Sequence, residues 1–341
     1  MNTLMLHTST AAERVTSLEM AAALLRRGEL VAFPTETVYG LGANALMEAA
    51  VRRVYEAKQR PMDNPMILHL FDIRQAVELM QHVPPLFEEL ANEFWPGPLT
   101  LIVHRNAAIP DIVTAGLDTV ALRIPDHILT RELLRLAGLP IAAPSANISG
   151  RTSPTSALAA YDYLAGSIAA VLDGGECIVG IESTVLDITS RTPTILRPGT
   201  VTREDIEDVV QTRVDVIGDI DEAPRAPGTK YRHYAPRADF VIVPHDTVDM
   251  RMELRERIGD ALSDGRIVGL LAPACFAGSG ERHFFSLGAG VAADYARLMY
   301  AGLHSLDTAG ADIIFCPGIA AEGIGYAVMN RLEKMGKGPH G

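Results

Sequence analysis

The chain has 341 residues, 48% hydrophobic and 21% charged, a balance that suits a soluble globular protein with room for two domains. A formal net charge of -12 argues against a broad nucleic-acid-binding face, which needs clustered Lys and Arg, and leaves room only for a local basic pocket. No apolar run reaches membrane-spanning length, no basic-then-apolar leader opens the chain, and Cys177, Cys275 and Cys316 are far apart with no CxxC pairing, so reduced thiols and a cytoplasmic setting are expected.

In chain order, "SLEMAAALLRRG" (17–28) predicts a helix with a Ser start and a Gly stop, and "ELVAF" a strand. "GLGANA" (40–45) fits G-x-G-x-x-A, but "PTETVY" separates it from the strand. The tight strand–turn–helix context of a dinucleotide site is therefore missing, and the segment is expected to be a glycine turn. "ALMEAAVRRVYEAKQR" predicts a helix whose apolar stripe includes Ala50, Val51, Val54 and Tyr55. The aliphatic runs "MILHL", "LTLIVH", "TVALRI", "PIAAPS", "AAVLDG", "STVLDI" and "TILRP" read as short buried strands, with helices near 127–137 and 155–165. Their number and unequal spacing predict a twisted, mixed α/β sheet. After Arg237 the pattern restarts with "DFVIV", a helix at 250–262, "RIVGLLAP", a helix at 291–306, "ADIIFCP" and a helix at 323–333. That β-α-β-β-α-β-α rhythm suits a smaller Rossmann-like domain. The expected division is 1–220, a linker at 221–237, and 238–341. The linker contains "PRAPGTKYRHYAPR", which is basic, aromatic and proline-stiffened in an otherwise acidic chain.

Several segments could carry chemistry. "FPTETVYGLG" sets Thr35, Thr37, Tyr39 and one carboxylate directly after a strand; by itself it reads as a polar turn whose threonines bond nearby backbone. "KQRPMDNPMILHL" puts Lys58 and Arg60 at a helix end before a Pro-bounded loop holding Asn64. Such cations complement the helix macrodipole, and they also form a compact polyphosphate clamp. His69 lies in an apolar strand, where a lone histidine is usually a satisfied core residue. Arg123 sits between Leu122 and Ile124, so a protein carboxylate or an anionic ligand must meet its charge. "APSANISG" offers Ser145, Asn147 and Ser149 to phosphate or ribose oxygens; no histidine adjoins Ser145 to make it a nucleophile. "ESTVLD" places Ser183 and Thr184 at a strand start, and "LRPG" places Arg197 at a strand end. There is no P-loop, H-E-x-x-H, G-x-S-x-G or spaced Cys/His metal cluster.

Taken in order, "FPTETVYGLG", "KQRPMDNPMILHL", "WPGPLTLIV", "ALRIP", "PSAN", "ESTVLD" and "LRPG" closely resemble the YrdC/Sua5 family of threonylcarbamoyl-AMP synthases. "PGTKYRHYAPR" followed by a further domain with "EGIGYAVMNRLEKM" resembles the longer Sua5 branch. The resemblance implies a twisted mixed-sheet YrdC-like domain with an open basic cavity, followed by the smaller Rossmann-like Sua5 domain. It implies that L-threonine, bicarbonate or CO2, and ATP with Mg2+ give L-threonylcarbamoyladenylate and pyrophosphate, without a tightly bound organic cofactor or a protein metal site. A downstream threonylcarbamoyl transferase complex would then modify the tRNA adenosine beside the anticodon. By the same resemblance, Thr37, His69, Arg123, the backbone at Ala143, and Ser183 hold threonine or its carbamate. Arg60, Asn64, Thr119, Ser145, Ser153, Arg197 and Tyr234 contact ATP, Asn147 supports the Ser145 loop, and Lys58 stabilises charge at the reacting phosphate. Lys230, Arg232, His233 and Tyr234 are expected to form a lid that shields the adenylate from water.

The chemistry agrees with this pattern. A carbamate is a weak oxygen nucleophile, and it must strike an α-phosphorus that carries the same sign of charge. Fixed cations and exclusion of water are what such a step requires. Two other classes of protein remain open at this point. A double-stranded-RNA-binding protein without catalysis would use the same basic residues on a phosphate backbone. A carbamoyl-adenylate module of the hydrogenase-maturation type shares the fold but calls for zinc-finger CxxC pairs and extra length, both missing here. The C-terminal domain could also serve as a docking platform.

Overall fold

The computed structural model describes residues 2–217 and 235–336. They form two compact units, each with its own sheet. Gly150–Ser153 and Val179–Ile181 group with the C-terminal part of the chain, and the rest of the N-terminal part makes the first unit. The linker expected at 221–237 falls almost wholly outside the described residues.

The first unit contains strands β1 (Leu4–Leu6), β2 (Val31–Phe33), β3 (Gly40–Asn44), β4 (Ile67–His69), β5 (Leu99–His104), β6 (Thr119–Arg123), β7 (Ile141–Ala142), β8 (Ala170–Leu172), β9 (Thr184–Asp187), β10 (Thr194–Arg197) and β11 (Asp215–Val216). They make one 11-stranded sheet in the order β1-β8-β2-β3-β7-β4-β6-β5-β9-β10-β11. Pairing is mixed, as expected: β4 with β6 and β5 with β9 run parallel, while β2–β3, β3–β7, β4–β7 and β5–β6 run antiparallel.

Helix α1 (Ala11–Arg26) begins earlier than the expected Ser start at 17. The reason is a capping box: the Thr10 side chain accepts from the Glu13 backbone N–H, and the Glu13 carboxylate accepts from the Thr10 backbone N–H. Ser17 is instead inside the helix, and its hydroxyl donates to the His7 carbonyl at 2.6 Å. The strand period of two then sorts the core. Val31 and Phe33 of β2 pack with Leu18, Ala21 and Leu25 of α1 and with Leu133 of the helix Ile128–Ala137. Ala32, between them, joins the opposite core with Val51 and Val54 of α2 (Glu48–Lys58). The sheet is therefore buried on both faces.

The segment 40–45, expected as a turn, is largely the buried strand β3. Its glycines do mark close approach: a Cβ on Gly42 would lie 2.6 Å from a Phe33 ring carbon and 2.9 Å from Ile141 Cγ2. The second unit follows the expected rhythm, with β12 (Asp239–Val243), β13 (Val268–Ala272), β14 (His283–Ser286) and β15 (Ile313–Pro317) in the order β12-β15-β13-β14, every pair parallel; β14 is the one strand of that rhythm without an expected segment in the sequence. Its core joins Leu254 and Ile258 of the helix Met250–Ser263 to Val243, Leu270 and Phe315. Among the described residues no helix is long and apolar enough to cross a membrane.

Candidate active site

Arg123 ends strand β6 and is almost fully buried, so its charge has to be answered locally. The "PTET" loop after β2 does this. Arg123 Nη2 donates to Glu36 Oε1 at 2.6 Å, Nη1 donates to Thr37 Oγ1 at 3.0 Å, and Nε donates to the Gly97 carbonyl at 3.2 Å. The expectation that this loop is only a polar turn holds for Thr35, which accepts from the Thr37 and Val38 backbone and donates to the Val38 carbonyl. It fails for Glu36 and Thr37, because a turn within bonding reach of a buried guanidinium is recruited by that charge. His69 is the register partner of Arg123 in the neighbouring parallel strand, and its ring meets Phe33 edge-on at 5.8 Å. Burial, with the Arg123 charge adding to it, holds its pKa down to about 3, so the ring is neutral near pH 7. Its Nδ1 is buried with no hydrogen-bond partner among the described residues.

Lys58 closes helix α2 and is 1% exposed. Its ammonium donates to the carbonyls of Ser145 and Asn147. Desolvation, followed by the nearby Arg60 charge, holds its pKa well below the usual lysine range. The lysine therefore ties the helix end to the "PSAN" loop, and its own carbonyl accepts from the Ser149 N–H at 2.8 Å. Within that loop the Ser145 hydroxyl donates to Asn147 Oδ1 and Asn147 Nδ2 donates to the Ile148 carbonyl. Arg60 turns back onto its own loop, with Nε 3.3 Å from the Asn64 carbonyl and Nη2 2.9 Å from that of Pro65. Asn64 is fully buried, and Thr119 shares a narrow cleft with Pro65 and Met66.

A third group is built on Arg197, buried at the end of β10. Its Nη2 donates to the Ser183 carbonyl at 2.9 Å and to the Ser183 hydroxyl at 3.1 Å, and Thr100 Oγ1 lies 2.8 Å from the same hydroxyl. Backbone bonds connect the three groups. The Ala146 N–H donates to the Tyr39 carbonyl, two residues past Thr37, and the Thr184 N–H donates to the Pro98 carbonyl, next to the Gly97 that receives Arg123. Ala143 sits between the first two groups, its N–H on the Ile67 carbonyl at 2.9 Å.

Thr37, Lys58, Arg60, Asn64, His69, Thr119, Arg123, Ala143, Ser145, Asn147, Ser183 and Arg197 thus all belong to the first unit. Ser153, buried, groups with the second unit. Tyr234, Lys230, Arg232 and His233 lie outside the described residues. Sequence reasoning missed Glu36 and Thr100. Glu36 had one usable signal, a charged side chain placed straight after a wholly apolar strand. Thr100, in the middle of an aliphatic strand, had none.

Residues 23–199 match the family model described as "Telomere recombination", the YrdC/YciO/Sua5 model, and residues 201–335 match "Threonylcarbamoyl-AMP synthase, C-terminal domain". The threonylcarbamoyl-AMP synthase of Pyrococcus abyssi is 44% identical over 93% of this chain and 93% of its own. That of Bacillus subtilis is 44% identical over 94% and 93%. The crystal structure of P. abyssi Sua5 complexed with L-threonine superposes with a TM-score of 0.91 at 41% identity, covering 98% of each chain. The buried cation groups of the first unit and the second parallel sheet accordingly sit in a known frame, and the chain belongs to the YrdC/Sua5 family in its two-domain Sua5 form.

Proposed function

We propose that this chain makes L-threonylcarbamoyladenylate and pyrophosphate from L-threonine, bicarbonate or CO2, and MgATP, in the cytoplasm. A separate transferase complex would then place the threonylcarbamoyl group on tRNA. The observation that carries the reading is the connected set of cations Lys58, Arg60, Arg123 and Arg197, three of them buried, in a chain whose net charge is -12. Buried charges are retained only where partners or ligands answer them. A substrate pair made of an N-carboxylated amino acid and a nucleoside triphosphate needs this arrangement and no covalent enzyme intermediate.

In this reading the cations wall an open basic cavity. Arg123 meets the amino-acid carboxylate, with Thr37, neutral His69, the Ala143 backbone and Ser183 around it. The orphaned His69 Nδ1 supports this, since a buried nitrogen without a partner is the kind of group a polar substrate satisfies. Arg60, Asn64, Thr119, Ser145, Ser153, Arg197 and Tyr234 take the nucleotide. Asn147 and Lys58 hold the Ser145 loop, and the lysine charge lies beside the reacting phosphate. The magnesium enters with the ATP phosphates, as is usual for a nucleotide substrate.

The test is pyrophosphate release from MgATP, with L-threonine and bicarbonate added singly and together. Release should need both. Release that ignores threonine overturns the reading.

A further inference from the structure

Glu36 is 3% exposed and only half used. Its Oε1 receives Arg123 Nη2 at 2.6 Å, while Oε2 is buried with no hydrogen-bond partner among the described residues. A carboxylate that only neutralises a guanidinium frequently engages the fork with both oxygens. Here the second terminal nitrogen of Arg123 is given to Thr37 Oγ1 instead. A buried carboxylate oxygen left unpaired is costly, so it points to a missing cation. Among the described residues the groups around it carry no further positive charge. His127, which feels the Glu36 charge, has its pKa lowered chiefly by burial; the Cys177 thiol is pushed up to about 12 by burial and stays neutral; His69 is neutral as well.

A guanidinium and a carboxylate lying side by side present one positive and one negative end. An α-amino-acid zwitterion presents the opposite pair. We propose that Glu36 Oε2 receives the ammonium group of the amino-acid substrate and takes its first proton. This rests on the proposed pairing of Arg123 with the substrate carboxylate. In the step, one N–H bond breaks, an O–H bond forms on Oε2, and the electron pair stays on nitrogen, which becomes the neutral amine that carbamate formation needs. Protonated Glu36 no longer neutralises Arg123, so the guanidinium becomes available as the substrate gains negative charge.

The experiment uses the full chain and Glu36→Gln, which keeps the acceptor for Arg123 and removes the charge. Dissociation constants are measured for L-threonine and, separately, for a non-hydrolysable ATP analogue, alongside a thermal melt and pyrophosphate release. Threonine affinity should fall by about tenfold or more, that is by about 1.4 kcal/mol or more. Affinity for the ATP analogue should stay within about twofold, and threonine-dependent release should fall by about a hundredfold. Glu36→Asp should recover part of the threonine affinity. Threonine affinity within about threefold of wild type, or loss of both ligands together with a lowered melt, overturns the proposal. Failure of the wild-type chain to bind L-threonine would instead sink the reading of Arg123, and the wild-type control shows this by itself.

Discussion

Burial of His69 sets a pH dependence at a single residue. Its folded pKa of about 3 lies below the ordinary value of 6.5, so the unfolded chain binds the extra proton first. Stability from this group is therefore intact above about pH 6.5, falls as pH drops through the window between the two values, and levels off near the lower one. Within the window the slope approaches about 1.4 kcal/mol per pH unit. Urea titrations from pH 4 to 7 on wild type and His69→Gln should show the variant with a slope shallower by about 1 kcal/mol per pH unit; equal slopes would mean the imidazole is not held neutral. Lys58 shows the other side of the same physics. The sequence marked it as a clamp cation, and the fold has it donating to two loop carbonyls, so its first effect is to shape the Ser145 loop. Arg123 was legible as a charge needing an answer. Which group answers it was not, because Glu36 and Arg123 are 87 residues apart and meet only through the sheet.

At the scale of elements, strands rich in aliphatic residues were readable from composition, and "LTLIVH" is β5 without adjustment. The misreading of "GLGAN" has a definite cause. Its glycines carry no β-propensity, and it is a strand because β2 pairs with it on one side and β7 on the other. Gly42 is required by Phe33 and Ile141 rather than by a turn. Gly42→Ala would force one of those side chains to move, and should destabilise the chain by about 1–3 kcal/mol as read by urea denaturation. Phe33→Leu in the same chain should restore part of the loss. The start of α1 was missed for a related reason. Ser17 and Thr10 are both plausible caps in isolation, and the reciprocal Glu13 bond selects Thr10.

At the scale of the whole molecule, the acidic total and the buried cations make opposite demands on anionic partners. Lys58, Arg123 and Arg197 are buried in separate segments of the first unit, whereas a duplex backbone needs an exposed basic face, which a net charge of -12 disfavours. Titration with duplex RNA at low salt should show binding weaker than about 100 µM. Retention at micromolar concentration that weakens steeply with salt would revive the RNA-binding alternative. The amino-acid sequence by itself determined the α/β class, the restart of the pattern after Arg237, the family, and that the charge of Arg123 must be met by a partner. Those follow from local periodicity and from short motifs, which a linear reading can see. Only the tertiary structure decided that Glu36 answers Arg123, that Lys58 holds the Ser145 loop, and that Thr100 joins Arg197 at Ser183. Each of these joins segments distant in sequence, and a hydrogen bond between them is set by how strands are ordered in the sheet, which no local pattern records.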